Sequence, residues 1–296
     1  MSRLFSCFLF SLFLNTGAGN EFFPPHAPPA GSPAAQRPAG SPVEQGAWLA
    51  HRIDDRESGR DMRVAMRMRL YDRQNRVRER ALTITGLRGG PGRPVPGDRS
   101  LIRFTQPADI SGTGMLVWKQ PSATDERFLY LPSLGRARRI AGSEAQDSFV
   151  GSDFTYEDIS GRELDEYDYA LTDDHATWRA PDGVSQAAYR LESRRKDPGA
   201  AFPRVISLVL AESFVIVHAD IHNKRDEVQK TYDVRRLERV PNATKTASYW
   251  TALEMVMSDV LQRTRTELVV ERAEYDVGLK PDDFSRLQLE RGSRVP

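Results

Sequence analysis

The densest run of side chains able to bind a metal or move protons is His218-Ala219-Asp220-Ile221-His222. On an extended strand, alternation puts His218, Asp220 and His222 on one face. At a rise of ~3.4 Å per residue, however, the two His α-carbons stand ~13 Å apart. Zinc ligands lie about 2.0 Å from a single ion, so this run cannot close a site without other elements. A solvated or hydrogen-bonded strand face is the simpler reading. The sequence has no G-x-S-x-G elbow, no H-E-x-x-H, no P-loop and no G-x-G-x-x-G after a strand. Asn242-Ala243-Thr244 matches a glycosylation sequon, which matters only in a eukaryotic secretory setting. The only cysteine, Cys7, falls in an N-terminal stretch read below as an export signal, so the mature chain has none for catalysis, disulfides or zinc. The chemistry expected is therefore non-covalent: no enzyme and no cofactor.

A second pattern concerns binding rather than reaction. Met62, Val64, Met66, Met68 and Leu70 alternate with Arg63, Ala65, Arg67, Arg69 and Tyr71 over 61–71. Strict period two predicts a long strand with one buried and one wet face. Methionine is unbranched and polarizable, so a methionine-rich wall adapts to irregular apolar partners. Two readings stand: a packed core beneath an N-terminal helix, or the wall of an acyl-chain cavity.

The elements that position this row follow from the rest of the chain. The 296 residues carry 42 Lys+Arg against 41 Asp+Glu, a formal net charge of +1, which argues against a dedicated nucleic-acid binder. Arg3, the apolar run 4–14 and the small residues 16–19 have the three-part form of a secretory signal, with cleavage after Ala18 or Gly19. Eleven residues are too few to span a bilayer core, which needs ~20. The chain is read as exported without a lipid anchor. Residues 1–19 are the signal and 20–41 a Pro/Ala/Gly-rich disordered linker. A single domain occupies 42–296, expected as a monomer. It opens with a capping box, Ser41 as N-cap, Pro42 in the first helical position and Glu44 reaching back, on a helix running to about Gly59.

Strand-like runs then follow at 76–85, 101–105, 115–119, 128–131, 167–171, 187–193, 204–210, 213–222, 228–237, 247–257 and 266–272. Short turn-rich connections favour antiparallel meander pairing, and no helical segments alternate with the strands. The fold expected is mainly β with a few helices: one large curved antiparallel sheet whose apolar face must be covered.

Two central segments carry a family resemblance. Phe128-Leu129-Tyr130-Leu131-Pro132-Ser133-Leu134-Gly135-Arg136-Ala137-Arg138-Arg139-Ile140 leads into Ser148-Phe149-Val150-Gly151-Ser152-Asp153-Phe154-Thr155-Tyr156-Glu157-Asp158. With Phe104-Thr105-Gln106-Pro107, Thr113-Gly114-Met115-Leu116, Lys230-Thr231-Tyr232 and Pro281-Asp282-Asp283-Phe284-Ser285, this resembles the outer-membrane lipoprotein-sorting protein family, LolA-like relatives of a periplasmic lipoprotein carrier. The resemblance spans about 49–291. Phe128 departs from it, since relatives often carry Trp there, and so does the Pro-rich linker.

The resemblance implies an open half-barrel whose concave mouth is closed by helices or loops and which carries lipid or lipoprotein acyl chains. It also implies coupling to an inner-membrane lipid exporter; a non-carrying accessory or docking subunit of such an exporter is the alternative. The expected cavity wall comprises Met62, Val64, Met66, Met68, Leu70, Phe104, Leu116, Trp118, Leu129 and Leu131. Gly151 supplies a bend, and Ser152 with Asp153 and Glu157 is read as the cap and first turn of a short helix. Phe149, Phe154 and Tyr156 either gate the cavity or plug the end of the sheet. Arg136, Arg138 and Arg139 either meet anionic headgroups or pair with Asp153, Glu157 and Asp158.

Overall fold

A computed structural model describes residues 37–121 and 123–291; the expected export signal and nearly all of the Pro-rich linker lie outside the described residues. The chain begins with α1 (Pro42–Asp54), then β1 (Asp61–Tyr71), β2 (Val77–Leu87), β3 (Arg99–Gln106), β4 (Gly114–Trp118), β5 (Glu126–Leu131) and β6 (Arg136–Arg139). A crossover over 140–166, containing α2 (Tyr156–Ser160), leads to β7 (Tyr167–Arg179), β8 (Ser185–Arg195), β9 (Arg204–Leu210) and β10 (Ile216–His222). The last strands are β11 (Val228–Pro241), β12 (Ser248–Asp259) and β13 (Thr264–Tyr275), followed by α3 (Arg286–Arg291). All thirteen strands form one sheet in the order β6-β5-β4-β3-β2-β1-β13-β12-β11-β10-β9-β8-β7. Every pair in it is antiparallel, and β6 and β7 are its free edges. This is the mainly β, open LolA-like architecture expected.

Alternation assigns the faces. On β1, Met62, Val64, Met66, Met68 and Leu70 are buried, whereas Arg63 is exposed and Arg67 and Arg69 are half-buried. A bulge against β13 at Ala65/Met66 places the extra residue, Glu271, on β13, so the apolar row of β1 continues unbroken. The row propagates by register: Val64 faces Ile84, Ile84 faces Ile102, Ile102 faces Met115, and Met115 faces Leu129. On the other side of β1, Met68 faces Leu268, Leu268 faces Met255, and Met255 faces Val234. The result is one continuous inner core across the sheet. A smaller cluster lies on the outer face of β2–β6, where Leu87, Leu116, Phe128 and Tyr130 pack against Phe284 and Leu289 of the C-terminal segment.

Four expectations need correction. Leu116 and Trp118 belong to the outer face: Leu116 is buried in the outer cluster, and Trp118 Nε1 donates to Phe284 O at 2.8 Å. Gly114–Trp118 is apolar throughout, so period two offered no way to choose its inward side; Met115 and Val117 are the inward residues. Strand β6 has no apolar alternation to reveal it and exists through backbone pairing with β5. Helix α1 stops at Asp54, five residues short of Gly59, which takes a left-handed φ of 78° before β1. Lastly, Thr155, not Ser152, caps α2: its hydroxyl accepts from Asp158 N–H, and Asp158 accepts from Thr155 N–H.

Candidate functional site

Every methionine after Met1 lies in the inner core: Met62, Met66, Met68, Met115, Met255 and Met257, each no more than 1% exposed. Phe104 and Leu129 join them, and Leu131 packs against the same core half-buried. Thus eight of the ten residues expected to form one wall do share one face; Leu116 and Trp118 do not. The sequence row on β1 led to three of the methionines. The other three required the strand register, because Met115, Met255 and Met257 lie in strands that are apolar on both sides.

Two segments cover this face. The first is α1. Its capping box is formed, with Glu44 N–H donating to Ser41 Oγ at 3.3 Å and Ser41 N–H to Glu44 Oε2 at 2.8 Å; the Ser41 N–H and hydroxyl, both donating to the Glu44 carboxylate, hold it below its usual range. Leu49 is fully buried, Trp48 meets Tyr189 and Phe214 edge-on, and the Arg52 guanidinium lies over the Phe214 ring. Gly46 allows the helix to touch β7, since a Cβ there would stand 2.6 Å from the Ala170 backbone. The polar ends are poorly served. Trp48 Nε1, Arg52 Nε, Asp54 Oδ1, Arg56 Nε and Ser58 Oγ are buried without a hydrogen-bond partner. Burial pushes the Asp54 carboxyl up to about 8, with Arg88 opposing and Asp98 and Asp55 reinforcing. Burial likewise lowers the Arg56 guanidinium to about 10.

The second cover is the crossover 140–166. Residues 148–155 form a hook in which Phe149 N–H donates to Phe154 O at 2.8 Å, and Val150 and Gly151 both take positive φ. Gly151 thus supplies the expected bend. The hook drives Phe149 and Phe154 into the inner core, where Phe149 stacks on Phe104 and meets Tyr156 edge-on. Asp153, expected in a first helical turn, instead accepts from Thr266 Oγ1 at 2.6 Å and from the Thr264 hydroxyl. Its carbonyl accepts from Lys230 Nζ at 2.6 Å, and Val150 O accepts from Arg80 Nη1 at 2.6 Å. The hook is therefore tied to β2, β11 and β13. Ser152 is buried, and its carbonyl accepts from Ser148 Oγ.

Behind the hook, buried charges tie the crossover to both wings of the sheet. The Arg195 guanidinium on β8 holds Glu157 at 2.6–2.7 Å and also reaches Glu166. On the other wing, Lys119 contacts Asp125 at 2.5 Å and donates to Gly161 O, while Arg127 donates to Ser160 Oγ at 2.8 Å. Burial raises the Glu163 carboxyl beside this group, with Asp125 adding to the effect. The arginines of the central signature pair elsewhere than with Asp153, Glu157 or Asp158: Arg138 bonds Glu144, Arg139 lies near Glu126, and Arg136 is exposed. Those acids are taken by Thr264 and Thr266, by Arg195 and by Arg162. Exposed guanidiniums at an edge strand cannot reach acids held under the sheet.

His218 and His222 sit on the outer face of β10, opposite Val217, Ala219 and Ile221. His218 Nδ1 lies 2.9 Å from Asp233, whose hydrogen bond raises the imidazole against the effect of burial, and Nε2 lies 3.3 Å from Asp220. His222 Nδ1 instead lies 3.0 Å from Asp226 O, so the two histidines have separate partners. No group of three or more metal-ligating side chains occurs among the described residues, and none of their helices is long and apolar enough to cross a membrane.

An open antiparallel sheet wrapped about a methionine-rich face and closed by a helix and a hooked crossover is a LolA-like fold. A family model described only as an uncharacterized protein matches residues 96–291, and the chain belongs to that family. It is similar to a DUF1329 family protein from Desulfovibrio piger, at 29% identity and a TM-score of 0.72 over 84% of this chain and 100% of that one. A putative outer membrane lipoprotein-sorting protein domain from Vibrio parahaemolyticus gives 25% identity and a TM-score of 0.73 over the same shares. A LolA superfamily protein from Nitrosomonas europaea, at 14% identity and a TM-score of 0.59, covers 83% of this chain and 98% of its own and shares the fold. No curated protein matches the chain. The central signature thus led to the right family.

Proposed function

We propose that this protein is a periplasmic carrier that binds lipid or lipoprotein acyl chains against the inner face and aids their transfer toward the outer membrane. The observation that carries the reading is the convergence of six methionines on that face. A core that needs only one shape is better specified by branched side chains; methionine suits a surface that must repack around varied apolar partners. Each methylene of a chain taken up contributes ~0.8 kcal/mol, so partial burial suffices for useful affinity without a catalytic group. The methionines are covered in the state described, so uptake requires a cover to move, and α1 is the cover held less firmly. Specific observations also favour the second reading, a non-carrying docking subunit of an inner-membrane lipid exporter: Met66 and its neighbours are already packed against protein side chains.

The test is a fluorescent fatty-acyl titration with parallel thermal melts of wild type, Met66→Arg and the outer-face control Arg63→Gln. The carrier reading expects Met66→Arg to fold, because a cover that moves for an acyl chain also opens a way out for the charged end, and to bind at least about tenfold more weakly, a change of about 1.4 kcal/mol. Wild type that takes up no acyl probe favours the docking subunit. An unfolded Met66→Arg beside a non-binding wild type assigns the face to a packed core.

A further inference from the structure

One end of the sheet carries exposed apolar side chains of a kind the interior does not explain. The turns at 72–76, 223–227 and 260–263 lie side by side there: Arg265 Nη1 donates to Asn75 Oδ1 at 2.8 Å, and Val260 N–H donates to Gln229 O at 2.8 Å. Val77, Val260 and Leu261 stand out from this end at 53%, 45% and 51% exposure. The tip holding Leu261 is fixed, because Asp259 Oδ1 accepts from the N–H groups of Leu261 and Gln262 at 3.1 and 2.8 Å.

The charges around these side chains are unequal in a way that selects a partner. The acids of the end are engaged: Asp72 with Arg76, Asp226 with Arg204 and Glu227 with Arg225 in ion pairs, and the buried Asp259 with amide N–H groups of Gln229, Leu261 and Gln262. Arg73, Arg78, Lys224 and Arg263 are exposed and form no ion pair among the described residues. Fixed apolar tips ringed by uncompensated cations match an anionic bilayer, whose headgroups attract each Lys or Arg and whose interface accepts small apolar wedges.

We propose that this end of the sheet docks on the surface of an anionic lipid membrane. Asp153 of the hook is bonded to Thr264, the first residue after the 260–263 turn, so docking brings the covered mouth toward the bilayer. The surface extends the carrier reading by naming where lipid is met, yet it involves none of the inner-face residues and is tested apart from them.

The experiment is sedimentation of the full chain with vesicles of phosphatidylglycerol and phosphatidylethanolamine, against vesicles of phosphatidylcholine alone. Binding is expected only to the anionic vesicles and should fall at high salt. Arg73→Gln and Arg263→Gln should each weaken it about fivefold, and Leu261→Asp should weaken it further, with thermal melts unchanged because all three residues are exposed. Equal retention on both vesicle types, no retention on either, or variants that bind like wild type overturn the proposal. A fluorescent acyl titration of the same variants separates the two readings: lost vesicle binding with intact acyl binding supports the surface. Vesicle binding by a chain that takes up no acyl probe supports the surface while removing the carrier.

Discussion

The crossover 140–166 lies on the inner face with its buried charges engaged on both wings of the sheet, from Arg195 on β8 to Lys119 and Arg127 beside β4 and β5. Helix α1 covers the same face by apolar contact and leaves five buried polar atoms in and after it without partners. Each buried, unpaired group costs on the order of 1–3 kcal/mol, so α1 rests on the face less securely for the area it buries. In the crossover network the Nε atoms of Arg162 and Arg195 also lack a hydrogen bond, but both guanidiniums hold carboxylates through their other nitrogens, so releasing one member strands its partners. On the proposed carrier reading the two covers divide the work: the crossover fixes the shape of the mouth, and α1 is the part that moves.

The largest effect expected comes from breaking the firm side of this contrast. Glu157→Ala leaves the Arg195 guanidinium with Glu166 as its only carboxylate and should cost about 3 kcal/mol, the low end for a broken buried pair, read by denaturant melts. A loss below ~1 kcal/mol, as for an exposed pair, would remove the distinction between the covers. On the other side, Gly46→Ala should destabilise by about 1–3 kcal/mol through overpacking, although alanine is the better helix former by ~1 kcal/mol. Its Cβ meets the Ala170 backbone and must lift α1 from β7. The same variant should take up a fluorescent acyl probe faster than wild type. Stabilisation with unchanged uptake means that α1 is not seated as described.

The smallest effect is a pH dependence. The Asp54 carboxyl, raised by burial to about 8, keeps its proton in the folded chain and loses it near pH 4 when unfolded. Folding stability should therefore fall as pH rises above about 4 and level off once local opening, rather than the closed pocket, takes up the charge. Asp54→Asn removes this slope. It should melt like wild type near pH 4 and be more stable at pH 8, by on the order of 1 kcal/mol once local opening lets water reach the carboxylate. Parallel melting curves across that range would show that Asp54 is not buried under α1 as described.

What the sequence made legible is what has a strict period or a local chemical rule. The alternation at 61–71 gave β1 residue for residue, and the Ser41–Glu44 box gave the start of α1, because both depend on neighbours close in sequence. Leu116 and Trp118 were misplaced because Gly114–Trp118 is apolar on both faces, and only the C-terminal segment folding over the outer side decides which face is which. The partners of Glu157 were beyond reach for a related reason: Arg195 is 38 residues away, and nothing local marks it. Strand β6, Arg-rich and without alternation, is specified by its partner β5 rather than by itself. Local rules gave the elements, and long-range register decided how the covers are held.

The most direct test of the carrier account is to map where an acyl chain lies. A fatty acid bearing a photoreactive diazirine near its tail, irradiated with the protein, leaves adducts that peptide mass spectrometry can place. The account predicts adducts in the inner-face methionine strands, within Asp61–Tyr71 and Ser248–Asp259, and on the underside of Pro42–Asp54, with amide hydrogen exchange in that helix rising as the chain enters. Adducts confined to the outer face, or protein left unlabelled at saturating acyl probe, would contradict it.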